Sequence, residues 1–366
     1  MNKRSFSVLA CLCLFVATAD AKERRRSFSG AVYTATNAPS GNEILIFDRL
    51  ADGRLVPAGA SGTGGLGTGT GLGNQGGLIL TGDEKWLLAV NAGSDEISVF
   101  RVRRRGIQLV DVEPSNGSMP ISLTEDDGLV YVLNAGSDSI TGFWLERDGN
   151  LSPISGSTRL LSGSGAGPAQ ISFDPRGKIL VVTEKATNNI VTFEVGRNGL
   201  PGNAQVQDSN GETPFGFAFG KRGQLFVSEA FGGAPEASAV SSYDVGRDGE
   251  IETISASVGT TETAACWVVV TGDGRFAYTT NTGSGSISGY SIEFDGEIEL
   301  LDDDGRTGET GSGSSPIDMS IAGRFLYSLN GGTGTIGVFR ISHDGSLVRL
   351  PFASSLPAGV NGLAAR

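Results

Sequence analysis

Histidine and cysteine are scarce in this chain, which has one histidine and three cysteines in 366 residues. His343 stands directly before an Asp-Gly pair that predicts an outer hairpin turn, so Ser-His-Asp triads and Cys-His pairs are excluded. Cys11 and Cys13 fall in the N-terminal export signal described next. Cys266 is then the only thiol left, which rules out an internal disulfide, and it is more typical of a small buried residue than of a nucleophile.

Long apolar runs are also missing. The stretch from Val8 to Val16 is far shorter than the roughly 20 residues that a membrane-spanning helix needs, and no later stretch is long enough. It follows two basic residues and precedes the small-x-small sequence Ala19-Asp20-Ala21, a pattern that predicts an export signal over residues 1–21. We therefore expect a mature chain of residues 22–366 that has no membrane span and is secreted or periplasmic.

Positive charge is low, with 28 Lys and Arg against 40 Asp and Glu and a formal net charge of -12. Two short arginine runs, residues 24–26 and 103–105, are interpreted as solvated surface. Binding to nucleic acid requires a concentrated basic face, so nucleic acid is excluded as a partner. We expect the chain to act as a monomer.

Helical periodicity is absent, and a repeat takes its place. An apolar run, an Asn or Glu, a small polar turn and a second alternating run recur seven times between Val32 and Phe339, for example as VYVLNAGSDSITGF from Val130. The copies are spaced by about 49 residues, the size of a four-stranded propeller blade. Asp-Gly or Asn-Gly pairs follow the second run, where a hairpin must reverse, so each repeat predicts four consecutive antiparallel strands, A to D.

The first repeat lacks a strand A, because Ala31–Asn37 already has the pattern of a strand B. The missing strand is expected from the far end of the chain, at Gly359–Ala365, and pairing these two segments removes an exposed sheet edge. The sequence therefore predicts an all-β fold, a seven-bladed β-propeller with four-stranded antiparallel blades that is closed by the C-terminal strand. Residues 22–366 form this single domain.

Strands A and B are antiparallel, so the start of A and the end of B lie on one face of the ring, which is the expected ligand surface. The predicted ligand-binding rim on this face consists of Asn91, Asn134, Gln170, Trp267, Asn281, Asp318 and Asn330. Two structural alternatives stay open. Asparagine caps turns with its own side chain, and Trp267 within CWVVV also fits a buried inner strand.

Two repeats depart from the asparagine series, with Glu184 and Glu229 at the ends of neighbouring B strands. A carboxylate at that position can serve as a general base or bind a ligand, and a solvated surface glutamate is the alternative. These two glutamates are the candidate catalytic residues.

Three further motifs are interpreted as structural. Gly62–Gly67 matches the G-x-G-x-x-G pattern, but no helix or βαβ unit follows it, so a dinucleotide site is excluded. The surrounding segment Gly59–Gly77 is more than half glycine and is predicted to be a pliant loop that enters the second blade. The run Asp302-Asp303-Asp304 lacks the spacing of a calcium loop and is interpreted as a solvated turn.

The phrases VYVLNAGSDSITGF and FLYSLNGGTGTIGVF, with turns such as DPRG before them, resemble the lactonase-type seven-bladed propellers. That family includes bacterial 6-phosphogluconolactonase and fungal carboxymuconate-lactonizing enzyme, and it overlaps the YVTN repeats of surface proteins. The resemblance spans Ala31–Arg366 and implies an Arg and a His just after a proline at the start of strand A, with a Glu ending a strand B. Pro168 and Pro214 match the proline, but Ala169-Gln170 and Phe215-Gly216 follow them, so the cationic and imidazole groups are missing there.

Two functions from different classes follow from this resemblance and its gaps. Lactone hydrolysis needs a base for water and positive charge for the oxyanion, and Glu184 or Glu229 would be the base. A Ca²⁺ ion held by glutamate and asparagine oxygens on the rim would supply the missing charge. The alternative is a non-catalytic scaffold that binds a protein, a glycan or a small ligand. The expected small ligand is a lactone or a carbohydrate-like molecule.

Overall fold

The computed structural model describes residues 28–366, so the predicted export signal, residues 1–21, lies outside the described residues. The described chain forms thirty strands and one short 3-10 turn, Phe231–Gly233. No helix within residues 28–366 is long and apolar enough to cross a membrane. The strands assemble into seven antiparallel sheets, which confirms the predicted all-β class.

Each sheet is one blade, with strand A innermost and strand D outermost. In blade 1, strands A to D are Asn361–Ala365, Phe28–Ala35, Glu43–Leu50 and Leu55–Gly62. In blade 2, they are Leu78–Leu80, Trp86–Asn91, Glu96–Val102 and Ile107–Pro114. In blade 3, they are Pro120–Asp126, Leu129–Asn134, Ser139–Leu145 and a split strand D, Leu151–Pro153 with Arg159–Leu160.

The same order holds in the remaining four blades. Blade 4 has Pro168–Phe173, Ile179–Glu184, Asn189–Glu194 and Gln205–Asp208, and blade 5 has Pro214–Phe219, Leu225–Glu229, Ala239–Val245 and Ile251–Gly259. Blade 6 has Ala265–Val270, Phe276–Asn281, Ser286–Ile292 and a split strand D, Ile298–Leu300 with Gly308–Glu309. Blade 7 has Pro316–Ala322, Phe325–Asn330, Thr335–Ile341 and Leu347–Ser354.

The ring closes as the sequence predicts. Strand A of blade 1, Asn361–Ala365, pairs antiparallel with Phe28–Ala35, with Val32 opposite Ala365 and Thr34 opposite Leu363. The inner strands contact each other in chain order, and the inner strand of blade 7 contacts that of blade 1. The two ends of the described chain therefore share one blade, which leaves no unpaired sheet edge at the seam.

Apolar side chains between the blades form the core, and all six tyrosines of the chain are buried there. Three of them also explain why strand B and the Asp-Gly or Asn-Gly turns recur together. Each donates a hydrogen bond from its hydroxyl to the carbonyl of the turn glycine in the next blade: Tyr131 to Gly199 (2.6 Å), Tyr278 to Gly345 (2.7 Å) and Tyr327 to Gly53 (3.0 Å). These bonds fix the angle between neighbouring blades at the outer edge.

Candidate functional site

The four asparagines predicted for the ligand-binding rim are buried, as their structural alternative has it, and their role in binding a ligand stays a prediction. Asn91, Asn134 and Asn281 have no exposed surface, and Asn330 is 1% exposed. Their amide N–H groups donate within their own blade or to the loop that leads into it, and Asn91 Oδ1 also accepts from Asn42 Nδ2 of blade 1 (3.0 Å). The donor and acceptor pairs are Asn91 Nδ2 to Ser98 Oγ (2.7 Å), Asn281 Nδ2 to Ser288 Oγ (2.9 Å), Asn330 Nδ2 to Thr335 Oγ1 (3.1 Å) and Asn134 Nδ2 to the Ser115 carbonyl (3.5 Å).

The loop that leads into a blade crosses directly over the last side chain of strand B, and this close approach requires glycine. A Cβ on Gly117 would lie 2.4 Å from the Asn134 side chain, and one on Gly211 would lie 2.3 Å from the Glu229 carboxylate. The end of strand B is thus covered by the loop of its own blade. This cover is the reason that these polar side chains do not reach solvent.

Glu184 is fully buried, and its carboxylate is held by groups of blade 4. It accepts hydrogen bonds from the N–H of Ser162 (3.0 Å) and from the Ser162 hydroxyl, in the loop that leads into the blade. The Thr187 hydroxyl, in the turn between strands B and C, donates a further bond (2.6 Å). Glu184 therefore ties the loop that leads into blade 4 to the turn that follows strand B.

Glu229 is also fully buried, in blade 5. It accepts hydrogen bonds from the Gly211 N–H (2.9 Å) and from the hydroxyls of Ser241 (2.6 Å) and Ser257 (2.7 Å). Burial raises the pKa of Glu229, and these donors partly oppose the shift because they stabilise the ionised carboxylate. Each of these donors belongs to blade 5 or to the loop that leads into it.

The arrangement of these carboxylates does not fit a calcium site. Calcium takes about six to eight oxygen ligands. Glu184 and Glu229 share no hydrogen-bond partner, and each already accepts bonds from its own blade. Within residues 28–366, no group of three or more His, Cys, Asp or Glu side chains is placed to hold a metal ion. We derive no reaction step through Ca²⁺.

Gln170 and Asp318, the rim candidates at the starts of A strands, join neighbouring blades. The Gln170 amide donates to the Phe217 carbonyl (3.0 Å) and accepts from the Phe217 N–H (2.7 Å) in blade 5. Asp318 in blade 7 accepts from the N–H of Leu363 (2.8 Å) in blade 1, and so it holds the ring-closing strand. Both side chains are buried, which corrects their placement on an open rim.

The glycine-rich segment Gly59–Gly77 was predicted to be a loop that enters blade 2. Its residues 59–62 instead belong to strand D of blade 1, and its last residues cross one face of the ring to the axis before blade 2 begins. The Gln75 N–H donates to the Ala169 carbonyl of blade 4 (3.1 Å). The Gln75 side-chain amide exchanges two hydrogen bonds with the backbone of Val268 in blade 6 (2.8 and 3.0 Å). A residue of blade 2 is thereby fixed at the centre of the ring.

Asn74 completes this closure beside Gln75. Its side chain donates to the Ile121 carbonyl of blade 3 and accepts from Asn361 Nδ2 of blade 1 (2.8 Å). The indole N–H of Trp267, in blade 6, donates to the Asn74 carbonyl (2.8 Å). Asn74 and Gln75, which we call the axial plug, therefore close one end of the central channel. Trp267 is buried, and its indole hydrogen bond holds the plug in place.

Lys185 is the functional candidate that the sequence analysis missed. It takes the position that alanine has in other repeats, such as Ala92 and Ala135. Its Nζ donates to the Gly73 carbonyl, just before the axial plug, and to the Pro168 carbonyl (2.9 Å). A cation in place of this alanine is the signal that would have revealed it.

The pKa of the Lys185 ammonium lies closer to neutral pH than that of an exposed lysine. Burial lowers the pKa of the Lys185 ammonium to about 8, because removing the charged form from water is unfavourable. The ring of Phe215 lies beneath it, with Nζ 5.0 Å from the ring centre. Lys185 is therefore protonated at pH 7, and it places a positive charge beside Pro168 and the axial plug.

Beyond the plug, the central channel continues as two adjoining cavities of about 400 and 260 Å³, and Gln75 lines both. Gln170 and Asp318 line the smaller cavity, whereas neither predicted glutamate lines either one. A larger cleft of about 930 Å³ lies between the turns of blades 2 and 3. None of the predicted site residues lines this cleft, so its size alone does not make it the functional site.

The family model described as Lactonase, 7-bladed beta-propeller matches residues 44–164 and 77–230, which together cover just over half of the chain. This chain belongs to the seven-bladed lactonase family. No curated protein matches its sequence.

Solved structures of three proteins share the lactonase-family fold with this chain. A Lactobacillus plantarum protein has a TM-score of 0.72 and 17% identity, over 93% of this chain and 99% of its own. A candidate 6-phosphogluconolactonase of Bacteroides fragilis has a TM-score of 0.71 and 18% identity, over 92% and 98%. The periplasmic gluconolactonase of Pseudomonas aeruginosa has a TM-score of 0.70 and 15% identity, over 91% and 98%. At these identities the likeness shows the fold alone.

This chain departs from the lactonase-family pattern at the residues that follow Pro168. Ala169-Gln170 follows Pro168, where the family pattern places its Arg and His, and Gln170 is committed to blade 5. Lys185 brings an ammonium group to the Pro168 carbonyl from the neighbouring strand end. Positive charge is present near the family position, although a different strand supplies it.

Proposed function

We propose that this lactonase-family protein hydrolyses small lactones at the face that carries Lys185. The observation that carries the proposal is the position of the Lys185 ammonium, 2.9 Å from the Pro168 carbonyl oxygen. The family pattern places its cationic group after this proline, so Lys185 supplies positive charge in the same neighbourhood. Family membership supports the reaction class.

Besides a base that accepts the proton of the attacking water, the chemistry needs a well-placed cation. Hydrolysis adds water to the ring carbonyl carbon, breaks the ring C–O bond and leaves a hydroxy acid. Negative charge develops on the carbonyl oxygen, and a fixed cation stabilises that charge more strongly than water does. An ammonium group has three N–H donors. Two of those of Lys185 reach the Gly73 and Pro168 carbonyls, and the third is assigned to the substrate oxygen.

The roles of Glu184 and Glu229 as general bases stay predictions. A general base must reach the attacking water, whereas both carboxylates accept hydrogen bonds inside their own blades. Glu184 also contributes through its bond to Thr187, which holds the turn from which Lys185 projects. We assign Glu184 as a positioning residue for Lys185.

The test is turnover of δ-valerolactone and γ-butyrolactone, with the rate in buffer subtracted. We expect Lys185→Met to lower kcat/KM about 100-fold, the order of effect for losing one group that stabilises an oxyanion. Lys221→Met, an exposed lysine in a turn of blade 5, is the matched control and should leave kcat/KM unchanged. Turnover no faster than in buffer, or a rate unaffected by Lys185→Met, would reject the proposal.

The pH profile gives an independent readout. Because the pKa of Lys185 is about 8, kcat/KM should fall as pH rises through 8 and the ammonium loses its proton. Lys185→Arg keeps its charge at high pH, so any activity it retains should lack this fall. A wild-type profile that is flat across pH 8 would show that Lys185 is not the group responsible.

Non-catalytic ligand binding is the second candidate function, favoured by the burial of both glutamates and by the axial plug. On this account, a lactone or carbohydrate-like ligand raises Tm without being consumed. Product analysis separates the alternatives, because a binding protein leaves the lactone intact whereas a hydrolase converts it to the hydroxy acid. Glu184→Gln should lower Tm on either account, since the Glu184 carboxylate holds the turn from which Lys185 projects.

We also propose that the protein acts outside the cytoplasm. Residues 1–21 have the pattern of an export signal. The protein produced from its full chain in an exporting bacterial host should be recovered outside the cytoplasm with Lys22 as its first residue. Recovery in the cytoplasm with Met1 still present would contradict this proposal.

A further inference from the structure

A cluster of apolar side chains begins beneath Lys185 and continues around the axis on the same face of the ring. Six of its members lie at or next to the starts of A strands in blades 4 to 7, and the seventh follows strand B of blade 5. We call this cluster the apolar floor. Its buried members are Ala169, Phe215, Ala230, Cys266 and Trp267, and Ala264 and Ile317 pack against them.

The floor starts at the proposed position of the lactone carbonyl. Lys185 Nζ lies 5.0 Å from the centre of the Phe215 ring, and that ring centre lies 4.9 Å from the centre of the Trp267 ring. Phe215 and Trp267 keep 7% and 5% of their surface exposed, whereas Ala264 and Ile317 are only half-buried. Apolar surface is therefore accessible beside the ammonium group and farther along the floor.

Polar side chains that border the floor are already paired within the protein. The axial plug is bonded to the backbone or side chains of blades 1, 3 and 6. The Thr282 hydroxyl, in the turn after strand B of blade 6, donates to the Pro316 carbonyl (2.9 Å). A hydroxyl-rich molecule lying on the floor would lose bonds to water without gaining replacements, and leaving a hydroxyl unpaired is costly.

The charge of this face disfavours a second anionic group on the substrate. Within residues 28–366, Lys185 is the one lysine or arginine in the loops that lead into blades and in the turns between strands B and C. Exposed carboxylates of the same loops and turns include Glu212 and Glu236 in the neighbouring blade 5. A phosphate or carboxylate on the substrate would meet no second cation there and would be repelled.

We propose that the preferred substrate is an uncharged lactone that carries an alkyl chain, with its carbonyl oxygen at Lys185 and its chain along the apolar floor. The inference rests on the proposed function and specifies the substrate class of the same site. Each methylene group that leaves water for the floor favours the bound state. A longer chain should therefore raise kcat/KM.

The test compares three lactones that share a six-membered ring. δ-Decalactone adds a pentyl chain to δ-valerolactone, and glucono-δ-lactone carries hydroxyl groups instead. With the rate in buffer subtracted, we expect kcat/KM for δ-decalactone to exceed that for δ-valerolactone at least about tenfold. Glucono-δ-lactone should be the poorer substrate of the two substituted rings, by at least about tenfold.

Two variants locate the chain on the floor. Ala264→Asn places a polar amide there, and the backbone should accept it because Ala264 has a φ of 60°, a conformation that asparagine adopts readily. Ala264→Asn and Ile317→Ser should each lower the ratio of kcat/KM for δ-decalactone to that for δ-valerolactone about tenfold. Ile321→Ser, at the other end of the same strand as Ile317, is the matched control and should leave this ratio unchanged.

Thermal unfolding verifies that each variant is folded, and Ala264→Asn decides the question if Ile317→Ser does not fold. Equal kcat/KM for δ-decalactone and δ-valerolactone, or a ratio that both floor variants leave unchanged, would overturn the inference while the proposed function stands. Turnover of none of the lactones would reject the proposed function. In that case Tm decides the inference, because δ-decalactone should raise Tm more than δ-valerolactone does, and Ala264→Asn should remove the difference. No such difference in Tm would overturn the inference as well.

Discussion

The two ends of the central channel are built from the same seven strands and yet differ in kind. At the end closed by the axial plug, which we call the upper end, side chains of one blade hydrogen-bond to the inner-edge backbone groups of another. Gln75 does so with Val268, and Gln170 does so with Phe217. At the opposite, lower end, apolar side chains late in the A strands, such as Val270 and Ile321, are half-buried and pack against the cores between blades. One end is a hydrogen-bonded closure, and the other is a lined cavity.

This difference shows how a symmetric repeat acquires direction. The strands repeat, but the loops that lead into blades all lie at the upper end, where one of them is long enough to reach the axis. The lower end has only short turns between strands. Stability should therefore be sensitive to substitution at the plug and tolerant at the open end, and the following experiments test that contrast.

The largest effect is expected at Gly216, which faces the plug. A Cβ there would lie 2.1 Å from Gln75 Oε1 and 2.5 Å from the Cys266 carbonyl oxygen. Gly216→Ala should lower the free energy of unfolding by about 3 kcal/mol, measured by urea denaturation, because the packed backbone cannot yield. Gly272→Ala, in an exposed turn with nothing within 4 Å of its Cβ, should change it by less than about 0.5 kcal/mol. Equal effects would mean that the plug is loosely held.

The next effect is expected at the plug itself. Gln75→Ala leaves the N–H and the carbonyl of Val268 without their partner, and an unpaired buried polar group is costly. We expect a loss of about 2 kcal/mol in the free energy of unfolding. Gln108→Ala, which removes an exposed amide bonded to Arg103, should cost less than about 0.5 kcal/mol. A stable Gln75→Ala variant would remove the distinction between the two ends.

Asp318 should make stability depend on pH. Its pKa is about 8 in the folded protein against an ordinary value of 3.8, so between pH 4 and 8 the folded state keeps a proton that the unfolded state releases. Stability should therefore fall as pH rises through this window. Asp318→Asn loses one acceptor, at a cost of about 1 kcal/mol at pH 5, and its disadvantage should shrink toward pH 8. Parallel pH profiles for the two proteins would contradict the assignment.

The smallest effect is expected at the open end. Ile321→Val removes one methylene group from a half-buried wall and should cost about 0.5 kcal/mol or less. Ile171→Val, at a site 1% exposed, should cost about 1 kcal/mol. Thermal unfolding of the two variants side by side measures the difference. A greater loss at Ile321 would show that the lower end is packed as tightly as the interior.

The fold was predictable because its determinants are local and repeated. Alternating apolar runs, Asp-Gly turns and the unpaired strand at Ala31–Asn37 specify blades, their number and the seam between the chain ends. The destination of Gly59–Gly77 was not predictable. A glycine-rich composition indicates freedom of the backbone, and only the tertiary contacts of Asn74 and Gln75 select the axis as its end point.

The site was harder to predict, for a related reason. Strand topology correctly places the ends of B strands on one face, but it does not reveal that loops cross over Asn134 and Glu229 and bury them. Lys185 is visible in the repeat as a cation in place of alanine, one residue beyond the strand end from which the site prediction was made. Comparing the repeats with one another would have found it.

The pairing of the first and last described strands in blade 1 also limits the order in which the blades can fold. Strand A of that blade, Asn361–Ala365, is translated after every other described strand, while its partner Phe28–Ala35 is translated first. During synthesis the first blade therefore carries a free inner edge until Asn361–Ala365 has left the ribosome. Blade 1 is therefore the last blade that can complete its sheet.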